Sequence, residues 1–161
     1  MKVLILSDTH LESPNQAFLE FFEQECLAAD VLLSCGDMTG YAMLELFETH
    51  PRFHGVAGNT DNWRIGEELP PTRIVDLDGF SIGLAHGHGY HSPIGQTMLT
   101  AFGPQVDMAC YGHTHVYQHR TAGRQQILNP GSYSLPRQGT PKSYALLHLD
   151  GKTSRIERVL L

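Results

Sequence analysis

Cysteine pairing is the first thing this chain lacks. Its three cysteines, Cys26, Cys35 and Cys110, are odd in number and far apart, with no Cys-x-x-Cys pair. That excludes a disulfide framework, and the thiols read as reduced, buried small hydrophobes of an intracellular protein. Positive charge is also scarce: 11 Lys and Arg stand against 17 Asp and Glu, for a net charge of −6, and the basic residues form no run. A nucleic-acid polymer or an acidic membrane would call for a basic surface, so both are argued against. Long apolar stretches are missing too. Val3-Leu4-Ile5-Leu6 after Met1-Lys2 is too short for a signal or membrane helix, and a cytoplasmic location is expected. There is no internal repeat and no low-complexity tract. With 161 residues and 41% hydrophobic content, residues 1–161 are expected to form a single domain with a proper core.

Histidine, by contrast, is abundant. Of the ten histidines, six cluster as His86, His88, His91 and as His113, His115, His119, and no two of the ten are adjacent. This enrichment points to metal or acid–base chemistry.

In chain order, Lys2 to Leu6 is aliphatic without alternation and reads as a strand buried on both faces. It runs into Ser7-Asp8-Thr9-His10. A helix follows, with Ser13 as N-cap, Pro14 at its first position and an apolar face of Phe18, Leu19 and Phe22, closing at Ala29-Asp30. Val31 to Cys35 is a second buried strand, ending in Gly36-Asp37. Tyr41 to Glu48 reads as a short amphipathic helix, and Phe53 to Ala57 as a third strand ending in Gly58-Asn59-Thr60-Asp61. The charged, proline-containing stretch from Trp63 to Pro71 reads as a surface loop. Thr72 to Leu77, an Asp78-Gly79 turn and Phe80 to Ala85 form a hairpin pattern that runs into His86-Gly87-His88-Gly89. Ser92-Pro93 opens a helix to about Phe102, and Val106 to Tyr111 leads into Gly112-His113-Thr114-His115. Val116 to Arg120 and Gln125 to Leu128 are strands joined at Ala122-Gly123, Asn129-Pro130-Gly131-Ser132 is a tight loop, and Tyr144 to Leu149 with Ser154 to Leu160 closes the chain as a hairpin. Alternating strands and helices followed by hairpins predict an α/β protein of two packed sheets with helices outside.

Strand ends carry the chemistry. His113 and His115, two apart after an apolar run, are expected on one side of the chain by strand periodicity, either holding metal or as solvated loop histidines. Four other strand ends match them in kind: Asp8/His10, Asp37, Asn59 and His86. Loops beyond the carboxyl ends of strands are where open α/β sheets place their sites. Two Asp, one Asn and four His, without sulfur, suit Mn²⁺, Fe, Co²⁺, Ni²⁺ or Zn²⁺ rather than a pure Mg²⁺ or Ca²⁺ site. Seven ligands are too many for one ion; with one bridging carboxylate they make four for each of two.

Asp8-Thr9-His10, Gly36-Asp37, Gly58-Asn59, His86-Gly87-His88 and Gly112-His113-Thr114-His115 resemble, in order, the five motifs of the calcineurin-like metallophosphoesterase superfamily. The length, with Gly58-Asn59-Thr60-Asp61 and Asn129-Pro130-Gly131-Ser132, resembles the small YfcE-type phosphodiesterase branch, which also contains the retromer scaffold subunit. The resemblance implies a four-layer α/β/β/α sandwich. It puts Asp8, His10, Asp37 and His115 on a first metal and Asp37, Asn59, His86 and His113 on a second, with Asp37 bridging. It implies two divalent transition-metal ions, Mn²⁺ first among them, and hydrolysis of a small phosphodiester by attack of a hydroxide bridging the ions. Asn59 would also touch the phosphate. Dimers or tetramers are implied as well.

The sequence departs from larger members at Thr60, where many of them carry a leaving-group acid. His88 is the candidate substitute acid; the alternative is that His88 only supports the ligands or lies solvated in its loop. Better turnover of aryl diesters than of alkyl monoesters is the expected consequence. The Gly131-Ser132 amides either bind substrate or only shape a turn. Asp61 reads as a turn cap and Trp63 as a locally packed ring, while His91 and His119 read as surface residues. The alternative function is a non-catalytic, metal-binding protein-interaction scaffold like the retromer subunit; against it, Asp8 and His10 are both intact.

Overall fold

The computed structural model describes residues 1–151 and 153–161. Two five-stranded mixed sheets lie face to face. The first has the order β10-β9-β1-β2-β3 and is made of β1 (Lys2–Leu6), β2 (Val31–Ser34), β3 (Phe53–Gly55), β9 (Ser143–Asp150) and β10 (Thr153–Leu160). The second has the order β4-β5-β6-β8-β7 and is made of β4 (Thr72–Leu77), β5 (Phe80–Ala85), β6 (Met108–Cys110), β7 (Gln118–Ala122) and β8 (Gln125–Asn129). Outside the first sheet lie α1 (Gln16–Phe21), which continues into a π-helical turn at Phe22–Cys26, then α2 (Tyr41–Glu48) and α3 (Trp63–Glu68). Outside the second lies α4 (Ile94–Phe102).

Side-chain alternation explains the four layers. In β1, Val3 and Ile5 enter the core between the sheets, where they meet Ile82, Leu84, Met108 and Cys110 of the other sheet. Leu4 and Leu6 face the opposite way, toward Phe18, Phe22 and Phe47 of the helical layer. β2 divides likewise, with Val31 and Leu33 inward and Leu32 outward. Met98, Leu99 and Phe102 of α4 pack on Ala109 and Ile127. The unbroken aliphatic runs of β1 and β2 are therefore doubly buried strands, and the expected α/β/β/α sandwich is what forms. Cys26, Cys35 and Cys110 are buried free thiols. Among the described residues, no helix is long and apolar enough to cross a membrane.

Local expectations failed at two places. The first helix is capped by Asn15, not Ser13: the Asn15 side chain accepts from the Phe18 N–H at 2.9 Å, leaving Pro14 just outside the helix. Trp63–Glu68 is helical rather than a loop. Asn62 caps it by accepting from the Arg64 N–H at 3.1 Å, Ile65 is buried, the Arg64 guanidinium lies 3.7 Å from the centre of the Tyr41 ring, and the Tyr41 hydroxyl donates to Glu68 at 2.8 Å. Docking on α2 outweighs a local composition that favours solvent. Trp63 itself is 69% exposed rather than packed.

β1 and β2 pair in parallel, as do β2 and β3, and as do β5 and β6. Beyond their ends, the loops continue to bond. Asp8 N–H donates to Gly36 O, His10 N–H to Asp37 O, and Gly112 N–H to His86 O, all within 3.1 Å. Pairing past the strands is what carries the polar loops to one end of the sandwich.

Candidate metal centre

Asp8, His10, Asp37 and His115 each offer a donor atom, and these atoms lie within 4.8 Å of one another. His115 Nε2 is 3.1 Å from Asp8 Oδ1 and 3.3 Å from His10 Nε2. His10 Nε2 is 3.7 Å from Asp8 Oδ1 and also 3.7 Å from Asp37 Oδ2. On the other side of Asp37, His86 Nε2 stands 3.2 Å from the same Oδ2. The His113 ring is 5.2 Å from that of His86, and the His88 ring is 5.6 Å from His86 and 6.5 Å from His113. Asp37 thus lies between two groups of side chains, Asp8, His10 and His115 on one flank and His86 with His113 on the other. Asn59 is exposed between Gly58 and Thr60, whose N–H groups donate to the Asp61 and Asp37 carboxylates.

Backbone conformation, more than strand periodicity, aims these groups. β6 ends at Cys110, and His113 and His115 both have left-handed φ, 64° and 60°. Asp8, His10 and Asp37 do too, at 55°, 45° and 54°. Non-glycine residues pay a steric cost there, so five such residues in one cluster mark a built site. Close approach sets the glycines beside them. A Cβ on Gly112 would lie 1.8 Å from Ser7 Oγ, and one on Gly58 would lie 2.1 Å from Asp37 Oδ1.

Two histidines have their tautomers fixed. His86 Nδ1 donates to Cys35 O at 2.8 Å, and His115 Nδ1 donates to Leu135 O. Each Nε2 therefore presents a lone pair, one toward Asp37 and the other toward Asp8. His86 Nε2 is buried and has no hydrogen-bond partner despite the nearby carboxylate oxygen. A lone pair facing a carboxylate at this range repels unless a proton or a cation lies between them. The donor set therefore fits divalent metal, with the second nitrogen of each ring tied to a carbonyl as metal-binding histidines require.

Without metal, protons take that place. Burial would push the Asp8 carboxyl up, but the His10 and His115 imidazoles beside it hold it well below the usual carboxylate range. Burial likewise opposes the Asp37 charge, and His86 reverses the effect, leaving its pKa lowered. For His86 and His115, burial disfavours the cation, but Asp37 and Asp8 respectively outweigh it and raise both pKa values. Burial, followed by the charge of His86, lowers His113.

A surrounding layer went largely unrecognised in the sequence. Asp61 does more than cap a turn: its carboxylate accepts from Gly58 N at 2.6 Å, Thr39 N at 2.7 Å and Asp37 N at 3.2 Å. It thereby clamps the Asp37 loop to the Asn59 loop. The acidic residue two places after Asn59 was the available signal. Ser132 Oγ donates to Asp8 O at 2.8 Å, and Asn129 Nδ2 donates to Gly112 O at 2.7 Å. Gly131 N–H is taken by Asn129 Oδ1 at 2.9 Å, so this loop shapes the site's support and that amide is not turned toward substrate.

Residues 1–152 match the calcineurin-like phosphoesterase superfamily domain, and the chain belongs to that family. Within it, the relatives point to the YfcE-type branch. A probable metallophosphoesterase of Methanothermobacter thermautotrophicus is 34% identical, across 94% of this chain and 88% of its own. Phosphodiesterase YfcE of Escherichia coli is 32% identical, across 93% of this chain and 89% of its own. Among solved structures, Entamoeba histolytica Vps29 complexed with Zn²⁺ superposes with a TM-score of 0.75 over 99% of each chain, at 24% identity, which is a likeness of fold.

Proposed function

We propose that this protein is a phosphodiesterase acting on small phosphodiesters with two divalent metal ions, Mn²⁺ foremost. The observation that carries the reading is the pair of tautomer-locked histidines, His86 and His115, whose Nε2 atoms face Asp37 and Asp8 from opposite flanks of one cluster. Asp8, His10, Asp37 and His115 would hold one ion, and Asp37, Asn59, His86 and His113 the other. Bound there, the ions would supply an activated water and neutralise phosphoryl oxygens. The residues' own work is positional. Cys35 O and Leu135 O hold the proton of each neutral ring on Nδ1, which leaves Nε2 as the ligating edge, and Asp61 keeps the Asp37 and Asn59 loops in register. Asn59, neutral and exposed, adds a ligand that also reaches the phosphate. Thr60 brings no proton to the leaving group; its N–H is spent on Asp37 Oδ1. His88, exposed beside His86 and His113, would give that proton.

The YfcE name of one relative and the phosphodiester preference expected from Thr60 favour diesters over monoesters. An assay of bis-aryl and mono-aryl phosphates with Mn²⁺, Ni²⁺ or Co²⁺, using Asp37→Asn as control, tests this. Metal-dependent turnover of the diester that vanishes in the control is expected; turnover surviving in Asp37→Asn overturns the mechanism. The likeness to Vps29 is one of fold and leaves open the second reading, a metal-binding protein-interaction scaffold. Metal binding without turnover of either ester class would select it.

A further inference from the structure

The histidines around the two carboxylates are not all held alike. His86 and His115 each turn Nδ1 to a carbonyl, Cys35 O and Leu135 O, and a carbonyl can only accept. His10 turns Nδ1 to two hydroxyls instead: Thr39 Oγ1 and Thr60 Oγ1 each stand 3.4 Å from it. Both contacts are longer than the roughly 2.7–3.2 Å of a well-made N–H···O bond, as suits one N–H shared between two oxygens. The opposite edge of the ring faces the centre. His10 Nε2 lies 3.3 Å from His115 Nε2 and 3.7 Å from both Asp8 Oδ1 and Asp37 Oδ2. For that nitrogen to offer a lone pair to an ion, the ring proton must sit on Nδ1, and the hydroxyls must accept it.

The two threonines come from different loops, and each has its backbone tied to the site. Thr60 N–H donates to Asp37 Oδ1 at 2.9 Å, which leaves Oδ2 of the same carboxylate facing His10 and His86. Thr39 N–H donates to Asp61 Oδ1 at 2.7 Å, Thr39 O accepts from Asn62 N–H at 2.9 Å, and Thr39 makes a β-bridge with Leu11, the residue after His10. Thr39 also has a φ of 82°. A β-branched residue is a genuine outlier in that region, since its side chain crowds the backbone. Glycine would adopt this φ without the crowding but would bring no hydroxyl. Strain of this kind persists where surrounding bonds over-determine the conformation, and here the strained residue is one whose side chain meets a metal-ligand candidate.

We propose that Thr39 and Thr60 are positioning residues of the first metal site: their hydroxyls together accept the His10 Nδ1–H, which keeps Nε2 as the ligating edge, and Thr39 carries its backbone strain to place its hydroxyl there. The inference rests on the two-ion reading of this centre and needs no turnover. Because hydroxyls at 3.4 Å hold less firmly than a carbonyl at 2.8 Å, His10 is the most loosely fixed of the three rings.

Mn²⁺ titrated into chelator-treated protein, with free aqueous Mn²⁺ followed by electron paramagnetic resonance, tests the pair. Thr39→Val/Thr60→Val keeps the shape and removes both hydroxyls. It should raise the Kd of one ion about tenfold, the low end of what loss of a ligand's supporting partner costs, and change the other by less than about twofold. Thr39→Ser/Thr60→Ser should restore the affinity to within about twofold of wild type. Adding His113→Ala, which spares the first ion, should preserve the effect of the valines; adding His115→Ala, which removes that ion, should abolish it. Thr39→Gly separates the hydroxyl from the fold: it should weaken the first ion while leaving the Tm of metal-free protein unchanged or higher. Unchanged affinity in the double valine variant, equal weakening of both ions, serines that behave as valines, or a Thr39→Gly protein of lower Tm and full affinity each overturn the proposal. A wild type that binds two Mn²⁺ but turns over no ester removes the phosphodiesterase reading and leaves this comparison standing. A wild type that binds no Mn²⁺ overturns both.

Discussion

Asp8-Thr9-His10 and His113-Thr114-His115 share a spacing and a backbone: in each, both outer residues are left-handed. Their side chains nevertheless behave differently. Asp8 and His10 stay together, 3.7 Å apart, within one group. His113 and His115 part, His115 meeting Asp8 at 3.1 Å and His113 turning to His86, with ring centres 5.2 Å apart. The left-handed φ values alone do not separate the two loops, so side-chain identity and surroundings decide. Leu135 O captures His115 Nδ1, while the Asp8 carboxylate accepts the His113 N–H at 3.1 and 3.2 Å and holds that loop from the side. An i, i+2 pair specifies proximity and leaves partnership to the neighbours.

The largest effect expected from breaking this arrangement is at Asp37, the residue common to both flanks. Asp37→Asn should lower diester turnover by at least the ~10²–10³ seen when one stabilising group is removed from an active site, and should lower the occupancy of both ions. Next come the two histidines that part. His115→Ala and His113→Ala should each bind one equivalent of metal instead of two after dialysis against Mn²⁺, counted by elemental analysis; two ions retained in His115→Ala would remove the asymmetry between the loops. A smaller change is expected at Asp61. Asp61→Asn should weaken metal affinity by about 10–100-fold, as loss of a ligand's supporting partner does, with the fold intact by circular dichroism. Ser132→Ala removes the hydroxyl holding Asp8 O and should cost about 1 kcal/mol in denaturant unfolding, with little change in metal count.

The smallest effect is a pH dependence of the metal-free protein. Asp8 and Asp37 have lowered folded pKa values, so their contribution is present above the unfolded carboxylate range and is lost as pH falls through the folded values. His86 and His115 have raised folded values, so theirs is present below the unfolded histidine pKa and fades as pH rises through the folded ones. His113, with its lowered value, works the other way, so the Tm of chelator-treated protein should decline only modestly from mildly acidic to mildly alkaline pH, and added metal should reverse the decline. A Tm that rises over that window would contradict the pairing.

Much of this was legible in the chain. Aliphatic runs without alternation, such as Val3 to Leu6, predict strands covered on both faces, because only a two-sided interior can accept every side chain. Asp8, His10, Asp37, His86, His113 and His115 could be singled out because each follows an apolar run at a point where a strand must end. Trp63–Glu68 could not be read as a helix, since what stabilises it is Ile65 buried and Arg64 lying on Tyr41, contacts made far along the chain. Asn15 could not be separated from Ser13 as a cap, because both side chains accept equally well and packing of Phe18 chooses the register.

What the sequence determined by itself was the layer pattern and the inventory of polar strand ends, because both follow from side-chain type and period. Tertiary structure alone decided which end faces which. Whether His115 joins Asp8 or His86, and whether Asp61 caps a turn or clamps two loops, depends on hydrogen bonds between loops that only the stacking of the two sheets brings within reach.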